Sequence, residues 1–158
     1  MADAKGRLTR VVLDGGALHR ISALQQADRE QAVNDLAQEN EFHLPSHPAL
    51  QCILHLSIQE GRLVFDVRDE NDMPVQAVML ALGPFRMLIR DYQMLLDSYA
   101  SAVAEGREAR IQAIDMGRRG LHNEGAELMV ERLAGKLAID FPTARRLFTL
   151  VCALHQKL

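Results

Sequence analysis

From Cys52 to Ile58 every second residue is apolar (Cys52, Leu54, Leu56 and Ile58), with Ile53, His55 and Ser57 between them. Side chains alternate across a strand, so this period predicts one face on a core and an opposite face that is mostly polar. Glu60-Gly61 follows as a tight turn in which Gly61 is free to take a positive φ. Leu63, Phe65 and Val67 then alternate with Arg62, Asp66 and Arg68, and the polar run Asp69-Glu70-Asn71-Asp72 marks a second turn. Residues 75–82 are apolar nearly throughout, as expected of a strand covered on both faces. Three such strands with short links predict an antiparallel meander. Upstream, LTRVVL (8–13) is stopped by Asp14-Gly15-Gly16 and predicts a strand that would make four. Residues 1–7 are small and charged, the pattern of a frayed terminus.

Elsewhere the period is that of a helix. Ser22 with Gln25 resembles a capping box, and Leu24, Ala27, Val33, Leu36 and Ala37 fall on one stripe behind it, with Asn40 placed to close the helix in the left-handed conformation. FHLPSHPAL (42–50) carries Pro45 and Pro48 and reads as a loop. After Gly83-Pro84, the residues Phe85, Leu88, Ile89, Tyr92, Leu95, Leu96, Tyr99 and Val103 predict a long helix over 84–105 that covers the sheet. A shorter helix follows over 107–116, with Ile111 and Ile114 inward. Gly117, Gly120 and Gly125 are expected to break the next segment before a further helix over 126–134. LAIDF (137–141) reads as a short extended piece. Asp140 is placed to cap a last helix whose buried stripe is Phe141, Ala144, Leu147, Phe148, Val151 and Leu154. The expected architecture is α+β: a small antiparallel sheet, a three- or four-stranded meander, packed against a mostly helical C-terminal half in a single domain over 1–158.

Composition narrows the function classes. The chain has 158 residues, 18 basic and 21 acidic, for a net charge of −3, which disfavours a general nucleic-acid or membrane-surface protein. Fifteen of the cations are arginines and three are lysines. Residues 1–80 carry seven basic and 12 acidic groups, whereas residues 81–158 carry 11 and nine, so the C-terminal half is mildly basic. No window approaches the ~18 apolar residues of a membrane span, and the N-terminus lacks a signal-peptide pattern. Both point to a cytoplasmic protein. Cys52 and Cys152 are either a disulfide or, as is favoured, two buried free thiols.

The segment IQAIDMGRRGLHNEGAELMVERLAGKLAIDFPTARRLFTLVCALH (111–155), with GRLVFDV and GPFRMLIRDY upstream, resembles the bacterial uncharacterised protein family 0262 over about residues 8–155. The resemblance implies a small soluble bacterial protein and carries no residue roles across.

Read physically, DMGRRGLHNEG packs Asp115, Arg118, Arg119, His122, Asn123 and Glu124 among three glycines. Two readings follow. The arginines pair internally with Asp115 and Glu124 to tie a connector between helices. Alternatively, an irregular glycine-rich backbone and the positive end of a helix starting near Glu124 or Gly125 converge on an anion, with Arg118, Arg119, His122, Asn123, Arg145 and Arg146 as ligand-binding candidates. An enzymatic alternative, a small hydrolase or transferase, uses His122 with Asp115 or Glu124 as acid–base groups. A further reading is a purely structural module that dimerises through a sheet edge or helix face.

Other constellations carry less. His122-x-Glu124 lacks the P-C-x-x-C of a zinc deaminase, and His43-x3-His47 is interrupted by Pro45. His55 is expected on the polar face of its strand, and His155 near the last helix terminus. No dinucleotide, P-loop, nucleophile-elbow or H-E-x-x-H motif is present, so neither a cofactor nor a metal is expected. Tyr92, Tyr99 and the phenylalanines read as core and not as a base-stacking platform, which leaves nucleic acid a minor option. The expected partner is a small anionic ligand or an acidic protein surface.

Overall fold

The alternating residues after Cys52 pair as the period of two requires. The structure is a computed structural model that describes residues 5–14 and 22–154. In chain order these form β1 (Leu8–Asp14), α1 (Ala23–Gln38), β2 (Phe42–His43), β3 (Cys52–Gln59), β4 (Arg62–Arg68), β5 (Pro74–Ala81), α2 (Gly83–Ala104), α3 (Glu108–Leu133), β6 (Ala138–Ile139) and α4 (Phe141–Leu154). Strands β3, β4 and β5 form the antiparallel meander, with Leu56 opposite Phe65 and Phe65 opposite Val78. Glu60 (φ 51°) and Gly61 (φ 74°) both adopt the left-handed conformation that a two-residue hairpin demands. β1 adds the fourth strand at the β3 edge, parallel to it, with Val11 opposite Leu54. That direction departs from an all-antiparallel meander because α1 carries the chain back before β3 begins.

The sheet has one face on the core, where Leu54, Leu56, Leu63, Phe65, Val67, Val78 and Leu80 are buried. β5 is therefore not covered on both sides: it lies at the sheet edge, and Met79 is 51% exposed. Phe42 and His43, expected in a loop, pair antiparallel with Ile139 and Ala138, since the prolines that prevent pairing come only after them. Gly6 is buried and donates its N–H to the Pro48 carbonyl at 2.6 Å, so order begins inside the stretch expected to fray. Residues 1–4, the Gly15-Gly16 turn and His155 lie outside the described residues.

Both side-chain caps form as expected. Ser22 Oγ accepts from the Gln25 N–H at 3.1 Å, and Asp140 Oδ1 accepts from the Thr143 N–H at 2.9 Å. The buried face of α1 is rotated from the expected stripe and consists of Gln25, Ala32 and Leu36, with Gln25 Nε2 donating to the Cys152 carbonyl of α4 at 3.0 Å. Asn40 does not close α1 in the left-handed conformation. The helix ends on an extended Glu39, and Asn40 instead joins α1 to β1 by bonding both the N–H and the carbonyl of Leu8 and the carbonyl of Leu36. α4, not α2, lies on the sheet, while α2 packs along α3. This central position buries α4 on nearly every side from Leu147 to Ala153, although Phe141, its first residue, is 40% exposed. Val103 of the expected α2 stripe is also exposed. Cys52 and Cys152 are both buried free thiols, and burial pushes the Cys52 thiol up to about 11.

The largest departure is α3, a single helix of 26 residues and about 39 Å that runs through all three glycines expected to break it. Each glycine costs such a helix about 1 kcal/mol relative to alanine, but tertiary packing overrides this. At Gly125 the ring of Phe148 from α4 lies directly against the α3 backbone, so that an added Cβ would overlap the ring. Gly120 faces open space. The two positions therefore respond oppositely to the same substitution. Gly120→Ala should stabilise the fold by up to about 1 kcal/mol in urea denaturation. Gly125→Ala should destabilise it by about 1–3 kcal/mol through overpacking, and equal gains at both sites would contradict this account.

Candidate functional site

Helical spacing gathers the chemistry of the C-terminal half. Arg118, His122 and Gly125 follow one another at four and three residues on the inner side of α3, and on α4 Phe148 and Thr149 lie three and four residues after Arg145. Where these faces meet α1, a cleft of about 240 Å³ opens. It is lined by Asp28, Gln31, Ala32 and Asp35 of α1, Arg118, Arg119 and His122 of α3, and Pro142, Arg145, Arg146 and Thr149 of α4. Five of the six ligand-binding candidates thus line one cleft, and the sixth, Asn123, accepts a hydrogen bond from Arg145 Nε at 3.0 Å. They meet through side chains only. Residues 115–125 lie inside α3, whose N-terminus is at Glu108, so the expected loop of converging N–H groups and the helix start near Glu124 do not exist.

The base of the cleft is an ion-pair network. Arg118 Nη1 donates to Asp28 Oδ1 at 2.5 Å, and Tyr92 of α2 donates its hydroxyl to Asp28 Oδ2 at 2.5 Å. The other terminal nitrogen of Arg118 donates to Asp115, whose second oxygen lies 3.2 Å from Arg119 Nη2. Among the described residues, internal pairing therefore occurs with Asp115, as one of the two sequence readings expects, but not with Glu124, its other expected partner; Asp28, which that reading missed, takes the place instead. Burial opposes the charge on Arg118, but its bonds to Asp28 and Asp115 more than offset this and raise its pKa. The Arg118 hydrogen bond holds Asp115 below the usual carboxylate range. Burial, followed by the Asp28 carboxylate, pushes the Tyr92 phenol far above its ordinary value. Asp28 sits in a run of polar residues that reads as a solvated helix face, and Tyr92 in an apolar stripe. Only their distance in space reveals the pair.

The two remaining arginines of the cleft are held less tightly. Arg146 donates to the Glu39 carbonyl at 2.9 Å, and its Nε is 4.0 Å from Asp35 Oδ2. Arg145 has no carboxylate within ion-pair range among the described residues. Burial and the like charges of Arg118, Arg119 and Arg146 hold its guanidinium below its ordinary value. His122 is 4% exposed, with its ring 5.1 Å from Tyr92 and 6.4 Å, edge-on, from Phe148. Its Nε2 is buried without a hydrogen-bond partner. No hydrogen bond joins His122 to Asp115 or to Glu124, and Glu124 lines a separate groove between α2 and α3 with Asp91, Met94 and Leu121. His47 Nδ1 lies 2.9 Å from Ser46 Oγ, and among the described residues no three His, Cys, Asp or Glu side chains are grouped to hold a metal. His55 lies between two carboxylates, Asp14 at 3.2 Å and Asp72 at 2.8 Å, an arrangement the sequence did not disclose.

Burial, with smaller contributions from Arg145 and Arg118, pushes the His122 imidazole down to about 4 from an ordinary 6.5. The unfolded chain therefore takes up a proton near pH 6.5 that the folded chain refuses until about pH 4, and stability falls as pH falls through this window. Between pH 7 and pH 5 the wild-type protein should lose about 2 kcal/mol more than His122→Phe, read from urea curves at each pH. Parallel losses would show that His122 is not held neutral by burial.

The match to known proteins covers nearly the whole chain. The model of the Uncharacterised protein family (UPF0262) matches residues 5–157. A UPF0262 protein of Acidiphilium cryptum is 69% identical over 159 residues, covering 99% of this chain and 96% of the relative. One of Granulibacter bethesdensis is 61% identical, covering 98% and 93%, and one of Maricaulis maris is 45% identical, covering 99% and 98%. No solved structure matches. Among the described residues no helix is long and apolar enough to cross a membrane. The expectation raised by the IDMGRRGLHNEG and DFPTARRLFTL strings is met, and the chain belongs to the uncharacterised protein family UPF0262.

Proposed function

We propose that the cleft between α1, α3 and α4 binds a small anionic ligand, and that the protein acts as a cytoplasmic binding protein in bacteria. The observation that carries this reading is Arg145, a part-buried guanidinium beside three other arginines with no carboxylate of its own among the described residues. Gathering like charges in a partly desolvated site is unfavourable, and an anion accepting from their N–H groups reverses that balance. Arg118 is committed to the fold through Asp28 and Asp115, so it supplies field more than free donors. Arg145, Arg146 and the exposed Arg119 supply the donors. The concave shape favours a small group over a flat protein surface. His122 forms part of the wall, without the acid partner that acid–base work would need.

In thermal-shift titrations at constant ionic strength, at least one of phosphate, sulfate and malonate should raise the melting temperature above that in chloride. Arg145→Gln should weaken that ligand about tenfold, the loss of one charge-assisted contact worth about 1.4 kcal/mol. Indifference to all three anions, or unchanged binding by Arg145→Gln, would overturn the reading.

A further inference from the structure

The two sides of the cleft are chemically unlike. Arginines of α3 and α4 form one wall, while α1 contributes the carboxylates of Asp28 and Asp35 to the other. An ionised carboxylate only accepts hydrogen bonds, so it repels an oxyanion unless that oxyanion brings a proton of its own. Both oxygens of Asp28 are already taken, by Tyr92 and Arg118. Asp35 differs: Oδ1 accepts from Gln31 Nε2 at 2.9 Å, while Oδ2 has only the Arg146 Nε at 4.0 Å, beyond hydrogen-bond reach. It therefore keeps an open acceptor on the cleft. An independent sign of a ligand is His122, a lining residue of the same cleft that is almost completely buried and whose Nε2 has no hydrogen-bond partner among the described residues. A neutral imidazole nitrogen either donates or accepts. A phosphate that carries both P–O and P–OH groups satisfies it in either tautomer, whereas sulfate satisfies only the donor.

We propose that the cleft selects the free hydrogen phosphate ion over oxyanions without a proton, with Asp35 accepting from the P–OH group while Arg145 and Arg146 donate to the remaining oxygens. The inference rests on the anion-binding reading above and names its ligand. Sulfate is tetrahedral like phosphate but unprotonated at neutral pH, so comparing the two isolates the proton.

The test is isothermal titration of the full chain with inorganic phosphate and with sulfate at pH 7, with ionic strength held by chloride. Phosphate should bind at least about tenfold tighter than sulfate, the difference that one gained hydrogen bond and one removed repulsion would give. Asp35→Asn, whose amide can donate to sulfate, should bring the two affinities to within about threefold by weakening phosphate and strengthening sulfate. Asp35→Ala, a second variant that offers no donor, should weaken phosphate without improving sulfate as far. Glycerol 3-phosphate at pH 8, a dianion that lacks the P–OH, should bind about as weakly as sulfate. Equal wild-type affinities, an unchanged ratio in both Asp35 variants, or glycerol 3-phosphate binding as tightly as phosphate would overturn the proposal. If phosphate and sulfate bind equally and both weaken in Arg145→Gln, selectivity fails while anion binding stands. If no oxyanion binds, both fail.

Discussion

The contact between the Phe148 ring of α4 and the bare backbone of Gly125 in α3 sets the geometry on which the cleft depends. With any side chain at 125 the two helices would have to separate or the ring would have to turn. Because they meet there, residues one turn earlier on each helix come together: His122 reaches the edge of Phe148, and Arg145 comes close enough to bond Asn123. One further turn back on α3 stand Arg118 and Arg119. The arginines of two helices thus share one cleft because a glycine permits close packing several ångströms away.

A second constraint comes from α1. Four guanidinium groups in one part-buried region would repel one another, and the fold answers with Asp28, held by both Arg118 and Tyr92. Buried ion pairs add little net stability once desolvation is counted, but removing one member leaves the other uncompensated. The network acts chiefly as a positioning device. It ties α1, α2 and α3 together at one carboxylate and offsets the charge of one arginine. His122, pressed between Tyr92 and Phe148 beside these charges, stays neutral for the same reason: little solvent remains to support another cation.

Much of this was legible in the residues, and what was not follows from the range of the forces involved. Period-two alternation and side-chain caps are local, so the meander, Ser22 and Asp140 could be read directly. The continuity of α3 could not. Three glycines are a local argument for a break, and the Phe148 contact that overrides it comes from more than twenty residues away. The fully covered β5 failed for a related reason, since an apolar run reports hydrophobicity and not whether a second layer exists to cover it. The cleft shows both sides at once. Arg118, Arg119, His122, Arg145 and Arg146 were legible as a group because arginines and a histidine stand out by type. Asp28 and Asp35 were not, because an acidic residue in a polar helix carries no mark of which neighbour it will meet.

The preference for arginine over lysine, 15 against three, fits the same economy. A lysine presents a single ammonium point charge, and one pairing with Asp28 could not reach across to Asp115 with fixed geometry. The planar guanidinium of Arg118 serves both carboxylates, and that of Arg145 spends its Nε on Asn123, leaving its terminal N–H groups without a carboxylate among the described residues. A net charge of −3 is therefore a poor guide to what this surface does. The acidic excess lies in the N-terminal half, whereas the potential in the cleft is set by which guanidinium groups have found carboxylates and which have not. Local pairing, rather than total charge, decides that an acidic protein carries a basic site.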